Sequence, residues 1–220
     1  MHLWLPENVS TFGAKVDQIF YLIYYITNFT FFLVISLLIA FLFMYRHKEG
    51  RRATYTHGNT TLEIAWTIAP AVILVLLGFI SKARWDEIKS TNLPPADIVV
   101  RVTGLQFNWE VLYPGPDGQF DTPDDYQVLN DMHVPENKVV HVHLRAKDVI
   151  HSFFLPHLRL KQDALPGKEI TVWFQATKAG QYPIPCAELC GFGHSGMQGR
   201  LFVDGPAEYE QWVKTQWPAA

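Results

Sequence analysis

Cys186-Ala-Glu-Leu-Cys190-Gly-Phe-Gly-His194-Ser-Gly-Met197-Gln-Gly-Arg-Leu-Phe-Val203 is the most informative stretch of the chain. Its first twelve residues put two thiols, an imidazole and a thioether into one Gly-rich loop. These are soft donors, a set that suits copper rather than magnesium, calcium or manganese. The chain contains 2 cysteines in all, so its whole thiol complement is committed here. From Met197 onward the stretch reads as a β-strand, so the candidate ligands sit in a loop at a strand end.

Working outward, the same strand signal recurs in Ile98-Val-Val-Arg-Val-Thr103, Lys138-Val-Val-His-Val-His-Leu144 and Glu169-Ile-Thr-Val-Trp-Phe174. Turn signals separate these runs: Pro114-Gly-Pro-Asp-Gly118, Pro135-Glu-Asn, Leu165-Pro-Gly167 and Lys178-Ala-Gly180. Short strands broken by such turns predict an all-β sandwich or barrel of roughly 100 residues. After it, Pro206-Ala-Glu-Tyr-Glu-Gln-Trp-Val-Lys214 has proline just inside its start and acids in its first turn, as a helix N-terminus prefers. Before it, Ser90-Thr-Asn-Leu-Pro-Pro-Ala-Asp97 is a polar linker and a domain boundary. No repeat is visible, and no Cys-x-x-Cys-His that would attach a c-type haem.

The region ahead of the linker is different in kind. Residues 19–45 contain no charged side chain, and residues 64–80 contain none either. The first run is long enough to cross a bilayer core. The second is near the short end, but Lys82 and Arg84 can snorkel to the interface, and neighbouring helices can satisfy the carbonyl freed by Pro70. Spans of about 19–45 and 64–81 are expected, with the first retained as an anchor. Residues 1–91 carry a net charge of +2 and residues 92–220 one of −5, within a total of −3. Arg46, Lys48, Arg51 and Arg52 crowd the loop between the spans. The positive-inside rule places that loop on the cytoplasmic or matrix side, and both termini outside.

An outer location permits a Cys186–Cys190 disulfide. A bridge across four residues closes a very small loop and stabilises little by loop entropy. It also leaves His194 and Met197 unexplained. A further ligand is available upstream in Asp148-Val-Ile-His151-Ser-Phe-Phe-Leu-Pro156, where His151 ends a strand and enters a proline-containing loop. A single blue-copper centre needs one Cys, two His and a weak axial Met, which leaves one thiol over. Two bridging thiolates with one imidazole per metal would serve two coppers, with Met197 and a loop carbonyl as weak axial donors.

With these motifs the chain resembles subunit II of haem–copper cytochrome c oxidases. The resemblance runs over nearly the whole chain: two spans, Leu62-Glu63-Ile-Ala-Trp66-Thr-Ile-Ala-Pro70, the His151 loop, Leu160-Lys-Gln-Asp163-Ala-Leu-Pro166-Gly167, and the cysteine loop. It implies a transmembrane helical hairpin (1–91), a cupredoxin-like Greek-key sandwich carrying the binuclear CuA centre (92–205) and a short C-terminal helix (206–220). It implies an electron relay from cytochrome c to the haems of subunit I, where oxygen is reduced to water with proton pumping. By the resemblance, Cys186 and Cys190 bridge two coppers, His151 and His194 bind one each, and Met197 and the Glu188 carbonyl are axial. The Glu188 carboxylate matches a residue that reaches magnesium at the subunit I interface, and Glu63 matches the mouth of a proton pathway. Expected partners are subunit I, other oxidase subunits, the cytochrome c donor and lipid, with no nucleic acid. The expected setting is a bacterial plasma membrane rather than a mitochondrial inner membrane, with the CuA domain outside.

Three features depart from the family pattern or lie outside it. The family's entry point for electrons is the first Trp of Gly-x-Gln-Trp-x-Trp, and this chain reads Gly104-Leu-Gln106-Phe107-Asn108-Trp109. Phe107 and Trp109 are therefore the entry candidates. The carboxylates Asp117, Asp121, Asp124 and Asp125 mark a solvated hairpin tip, with calcium binding or donor docking as sharper readings. His141 and His143 share one strand face but match no family ligand, and read as strand-packing residues. A membrane-anchored copper-insertion protein, the main competing reading, needs one span and a thioredoxin-like βαβ pattern, which this chain lacks. Quinol-oxidising relatives lack the copper ligands.

Overall fold

The structure, a computed structural model, describes residues 4–89 and 92–218. Ser90 and Thr91 of the expected linker, and the last two residues of the C-terminal segment, lie outside the described residues. Two compact units result, one of residues 15–87 and one formed by residues 88–220 together with the first fourteen.

The first unit holds most of two helices, α1 (Gly13–Met44) and α2 (Thr60–Lys89). Both are long and apolar enough to cross a membrane. No residue of α2 is buried, and Phe31, Leu42, Leu74 and Phe79 are each more than half exposed. An apolar surface of that extent is the reverse of a soluble core helix and needs a lipid environment. The few polar side chains of α1 spend their hydrogen bonds on their own helix: Thr27 and Thr30 donate to the carbonyls of Ile23 and Ile26, and Asn28 to that of Tyr24. Such self-satisfaction lowers the cost of polar groups in hydrocarbon. Pro70 is accommodated inside α2, and Lys15 of α1 pairs with Glu87 of α2.

The second unit is a β-sandwich. One sheet has five strands in the order β3-β2-β1-β5-β8: Tyr126–Leu129, Asn108–Tyr113, Ile98–Leu105, Val139–Ala146 and Ile170–Gln175. The other has the order β4-β10-β9: Asp131–Pro135, Gln198–Asp204 and Gly180–Pro185. β1 runs parallel to β5, and β10 parallel to β4. A separate hairpin pairs β6 (His151–Leu155) with β7 (Leu160–Ala164). Strand β5 shows the expected alternation: Val140, Val142, Leu144 and Ala146 point into the core, and His141, His143 and Arg145 out. Trp109, Met132, Phe153, Phe174 and Leu201 fill the space between the layers, all fully buried.

β1 departs from simple alternation, with five consecutive buried residues. Arg145 donates to the Thr103 hydroxyl, His151 lies against Gly104, and over Arg101 comes the turn after β2. Its tip at residues 116–119 is exposed, as the sequence suggests, but its far end folds back over the sheet. There the Arg101 guanidinium lies 4.4 Å from the centre of the Phe120 ring and bonds Asp121 at 2.7 Å.

Two further pieces complete this unit. The C-terminal helix α3 (Pro206–Gln216) starts with Glu208 accepting the Gly205 N–H. Its Trp212 stacks on His133 and packs edge-on against Tyr113. The polar segment before α1 is laid along the edge of β8: Thr11 N–H donates to Gln175, Thr177 N–H to Val9, and Val9 N–H to His157. Nothing in its composition signals this pairing, because the partner residues are distant in sequence.

Candidate metal centre

The cysteine loop leaves β9 and returns in β10, which are antiparallel neighbours with Pro185 facing Gln198. The Cys186 N–H closes its base by donating to the Met197 carbonyl at 3.0 Å. A single 3₁₀ turn, His194–Gly196, lets the chain double back within a few residues. Two outside contacts brace the loop. Ala187 N–H donates to Ser152 in β6, and Gln106 Nε2 donates to the Cys190 carbonyl at 2.5 Å.

His151 reaches the loop from β6, which forms a bridge between Phe153 and Cys186. Among the described residues, His151, Cys186 and Cys190 are the group whose ligand atoms all lie within 4.8 Å of one another. Each thiol then has its own imidazole and its own weak donor. Cys186 Sγ is 3.9 Å from His151 Nδ1 and 3.2 Å from the Glu188 carbonyl. Cys190 Sγ is 3.6 Å from His194 Nδ1 and 3.7 Å from Met197 Sδ. The two sulfurs are 3.9 Å apart and unbonded.

These separations suit a shared first-row metal. With metal–sulfur bonds of about 2.3 Å and metal–nitrogen bonds of about 2.0 Å at a tetrahedral angle, sulfurs lie about 3.8 Å apart and a sulfur–nitrogen pair about 3.5 Å apart. Chemistry agrees with spacing. Burial, and then the neighbouring Cys186, push the Cys190 thiol up to about 11, so its proton stays until a cation draws the sulfur into the thiolate form. The residues present therefore fit a thiophilic metal.

The surroundings fix His151 closely. Its ring is fully buried, and Nε2 bonds Asp148 Oδ1 at 2.8 Å, which leaves Nδ1 facing Cys186. Burial raises the Asp148 carboxyl, but bonds from His151 and from the Gln106 and Val149 amides outweigh it and hold it below the usual range. On its other side the ring lies against Gly104 of β1, where a Cβ would come within 2.9 Å of it. Neither Asp148 nor Gly104 carries a ligand signal in the sequence. A carboxylate three residues before a histidine is the one hint, and the register of β1 against β6 is not readable from it.

The remaining candidates are placed as follows. His194 is part-exposed, whereas Cys186, Cys190 and Met197 are buried. The Glu188 side chain is exposed, and Glu63 is exposed in the first turn of α2. Trp109 has no exposed surface: it sits in the core, donating Nε1–H to the Ile184 carbonyl and meeting the His151 ring edge-on. Phe107 is half-buried beneath the cysteine loop, its ring filling the space where side chains of Gly191 and Gly193 would be. His141 bonds the Pro94 carbonyl and His143 pairs with Glu169, both outside the cysteine cluster.

Comparison with known proteins follows this division of the chain. The family described as "Cytochrome C oxidase subunit II, periplasmic domain" matches residues 98–201, and "Cytochrome C oxidase subunit II, transmembrane domain" matches residues 1–83. Cytochrome c oxidase subunit 2 of Thermostichus vulcanus is 31% identical over 96% of this chain and 78% of its own length. The alternative cytochrome c oxidase subunit 2 of Bradyrhizobium diazoefficiens is 30% identical over 97% of this chain and 83% of its own length. The crystal structure of the periplasmic domain of subunit II of cytochrome oxidase from Bradyrhizobium japonicum superposes with a TM-score of 0.51 at 34% identity. That match covers 58% of this chain and 98% of that domain.

Proposed function

The chain belongs to the cytochrome c oxidase subunit II family, and from that premise we propose that it is the electron-transfer subunit of a haem–copper terminal oxidase. In this reading it takes electrons from cytochrome c and passes them to the haems of subunit I, where oxygen is reduced to water with proton pumping. The observation that supports it best is the pairing in the cysteine loop, where each thiol has one imidazole and one weak donor.

Cys186 and Cys190 would hold two copper ions together with His151 and His194, and Met197 and the Glu188 carbonyl would be weaker donors. Copper so held supplies a one-electron couple. The protein's own part is to keep the donors where they are. The Asp148 carboxylate holds the His151 Nε2–H, so the Nδ1 lone pair is aimed at the site in every molecule. Burial of both thiols and Met197 excludes water. The Gln106 and Ala187 bonds pin the loop backbone, so the donors need little rearrangement when charge changes.

The wider assignments rest on the same reading. Helices α1 and α2 form the membrane hairpin, the β-sandwich with the segment before α1 is the copper domain, and Pro206–Gln216 is the terminal helix. The domain lies on the outer face of a bacterial plasma membrane, since the basic loop between the spans prefers the inner one. The exposed Glu188 carboxylate reaches a magnesium ion at the subunit I interface, a hard donor for a hard ion. Glu63 marks the mouth of a proton pathway into subunit I.

The test is electron paramagnetic resonance of the copper-loaded chain. One unpaired electron shared over two copper nuclei gives a richer hyperfine pattern than an isolated Cu(II). A spectrum of the isolated type in the fully loaded protein would overturn the paired site.

A further inference from the structure

Phe192 stands at the tip of the cysteine loop, between Cys190 and His194, and its side chain is fully exposed at 108%. It is not loose chain. The backbone on either side is tied down, with His194 N–H donating to Gly191 and Gly196 N–H to Gly193. Leu189 on the same loop is 76% exposed, and Val149 and Ile150, on the neighbouring loop that carries Asp148, are also exposed. Single exposed apolar residues are ordinary, but a rigid aromatic among others beside a redox site marks an interaction surface.

Phe107, at the position where the family carries its entry Trp, is otherwise engaged. A Cβ on Gly193 would lie 2.4 Å from its ring, and one on Gly191 would lie 3.2 Å from it. Phe107 is thus a wedge that supports the loop from below, and Trp109 is closed off in the core. Phe107 keeps part of its surface, but the fully exposed aromatic ring at the site is that of Phe192 on the loop itself.

We propose that Phe192 is the residue on which the electron-donating protein seats, in place of the side chain at position 107. This rests on the electron-transfer reading above. The partner it fits is a small redox protein with an apolar rim around the exposed edge of its cofactor, bounded by basic side chains. The apolar rim meets a preformed aromatic anchor, the kind of residue that dominates interface energetics. The basic boundary meets a half-chain, residues 92–220, with a net charge of −5. Its position between Cys190 and His194 would seat the donor directly beside two candidate ligands.

The experiment uses the assembled oxidase with Phe192→Ser or Phe192→Leu, a basic soluble cytochrome c as donor, and tetramethyl-p-phenylenediamine as a small donor that needs no docking. Expected for Phe192→Ser is a rise in KM for the cytochrome of roughly tenfold. Oxidation of the small donor should stay within about twofold, with subunit I retained and an unchanged copper spectrum, and Phe192→Leu should recover most of the loss. An unchanged KM, an equal loss with both donors, or loss of subunit I from the purified complex would each overturn the proposal. The last would mean that Phe192 seats the partner subunit instead. A wild-type spectrum without paired copper would sink the preceding reading instead, while the KM comparison would still report on docking.

Discussion

Gly104→Ala adds one methyl group, and the structure says where it goes. The new Cβ would lie 2.9 Å from His151 Cδ2, 3.0 Å from Cγ and 3.1 Å from Cβ. Carbon atoms in contact prefer about 3.5–4.0 Å, so three contacts are short by roughly 0.5–1 Å. Neither side can yield easily. Gly104 pairs with Trp109 on one flank and Ala146 on the other, and its carbonyl accepts the Lys147 N–H. The imidazole is held at Nε2 by Asp148 and edge-on by Trp109. Overpacking of this kind costs about 1–3 kcal/mol. With an unfolding entropy of about 2.1 cal/mol/K per residue over roughly 130 residues, a middle value of 2 kcal/mol lowers the melting temperature by about 7 °C. A ligand displaced by more than about 0.2 Å also leaves its bonding range, so copper should be lost. The assay is copper content and paramagnetic resonance of the full chain in detergent, with a near-ultraviolet circular dichroism melt. Gly196→Ala is the matched control, because nothing lies within 4 Å of its Cβ position. If Gly104→Ala melts with the control and keeps its copper signal, the close seating of His151 on β1 is wrong.

Two other outcomes are expected. Asp148→Asn keeps the shape but weakens the hold on the His151 Nε2–H; copper affinity, read by competition with a chelator, should fall about 10–100-fold, and equal retention would show that the carboxylate does not orient the ring. Asp97 is held below the usual carboxylate range, first by the Val139 amide and then by Lys138, with desolvation working against them. Its contribution is therefore present above the unfolded value of about 4 and lost as pH falls through the lower folded value. Asp97→Asn should flatten that acid-side part of the melting temperature against pH, and an unaltered curve would refute the role.

The spans, the strand runs and the closing helix are legible because each is a local pattern: a charge-free run, a two-residue alternation, a proline before acids. The side chains of the metal loop are legible for the same reason. Cys186, Cys190, His194 and Met197 fall within twelve residues, so their spacing alone brings them together. His151 is legible only as a donor in a suitable loop, and the β6 contact with Cys186 decides that it joins them.

What lay beyond the sequence is everything that depends on register between distant segments. The segment before α1 pairs with β8 because its backbone donors and acceptors find free edge positions there, which composition does not encode. The acidic turn reads as a solvated tip, and Asp121 stays 71% exposed, but its bond to Arg101 on β1 is set by the register of distant segments. Phe107 reads as an entry candidate, and the fold adds that its ring lies beneath the cysteine loop, where two glycines leave room for it. The donors and their order along the chain follow from residue types, since ligand chemistry belongs to side chains. Which nitrogen of His151 faces the thiols, what holds it there and how Phe107 and Phe192 divide between support and exposure follow from folding, because those depend on strands that meet across dozens of residues.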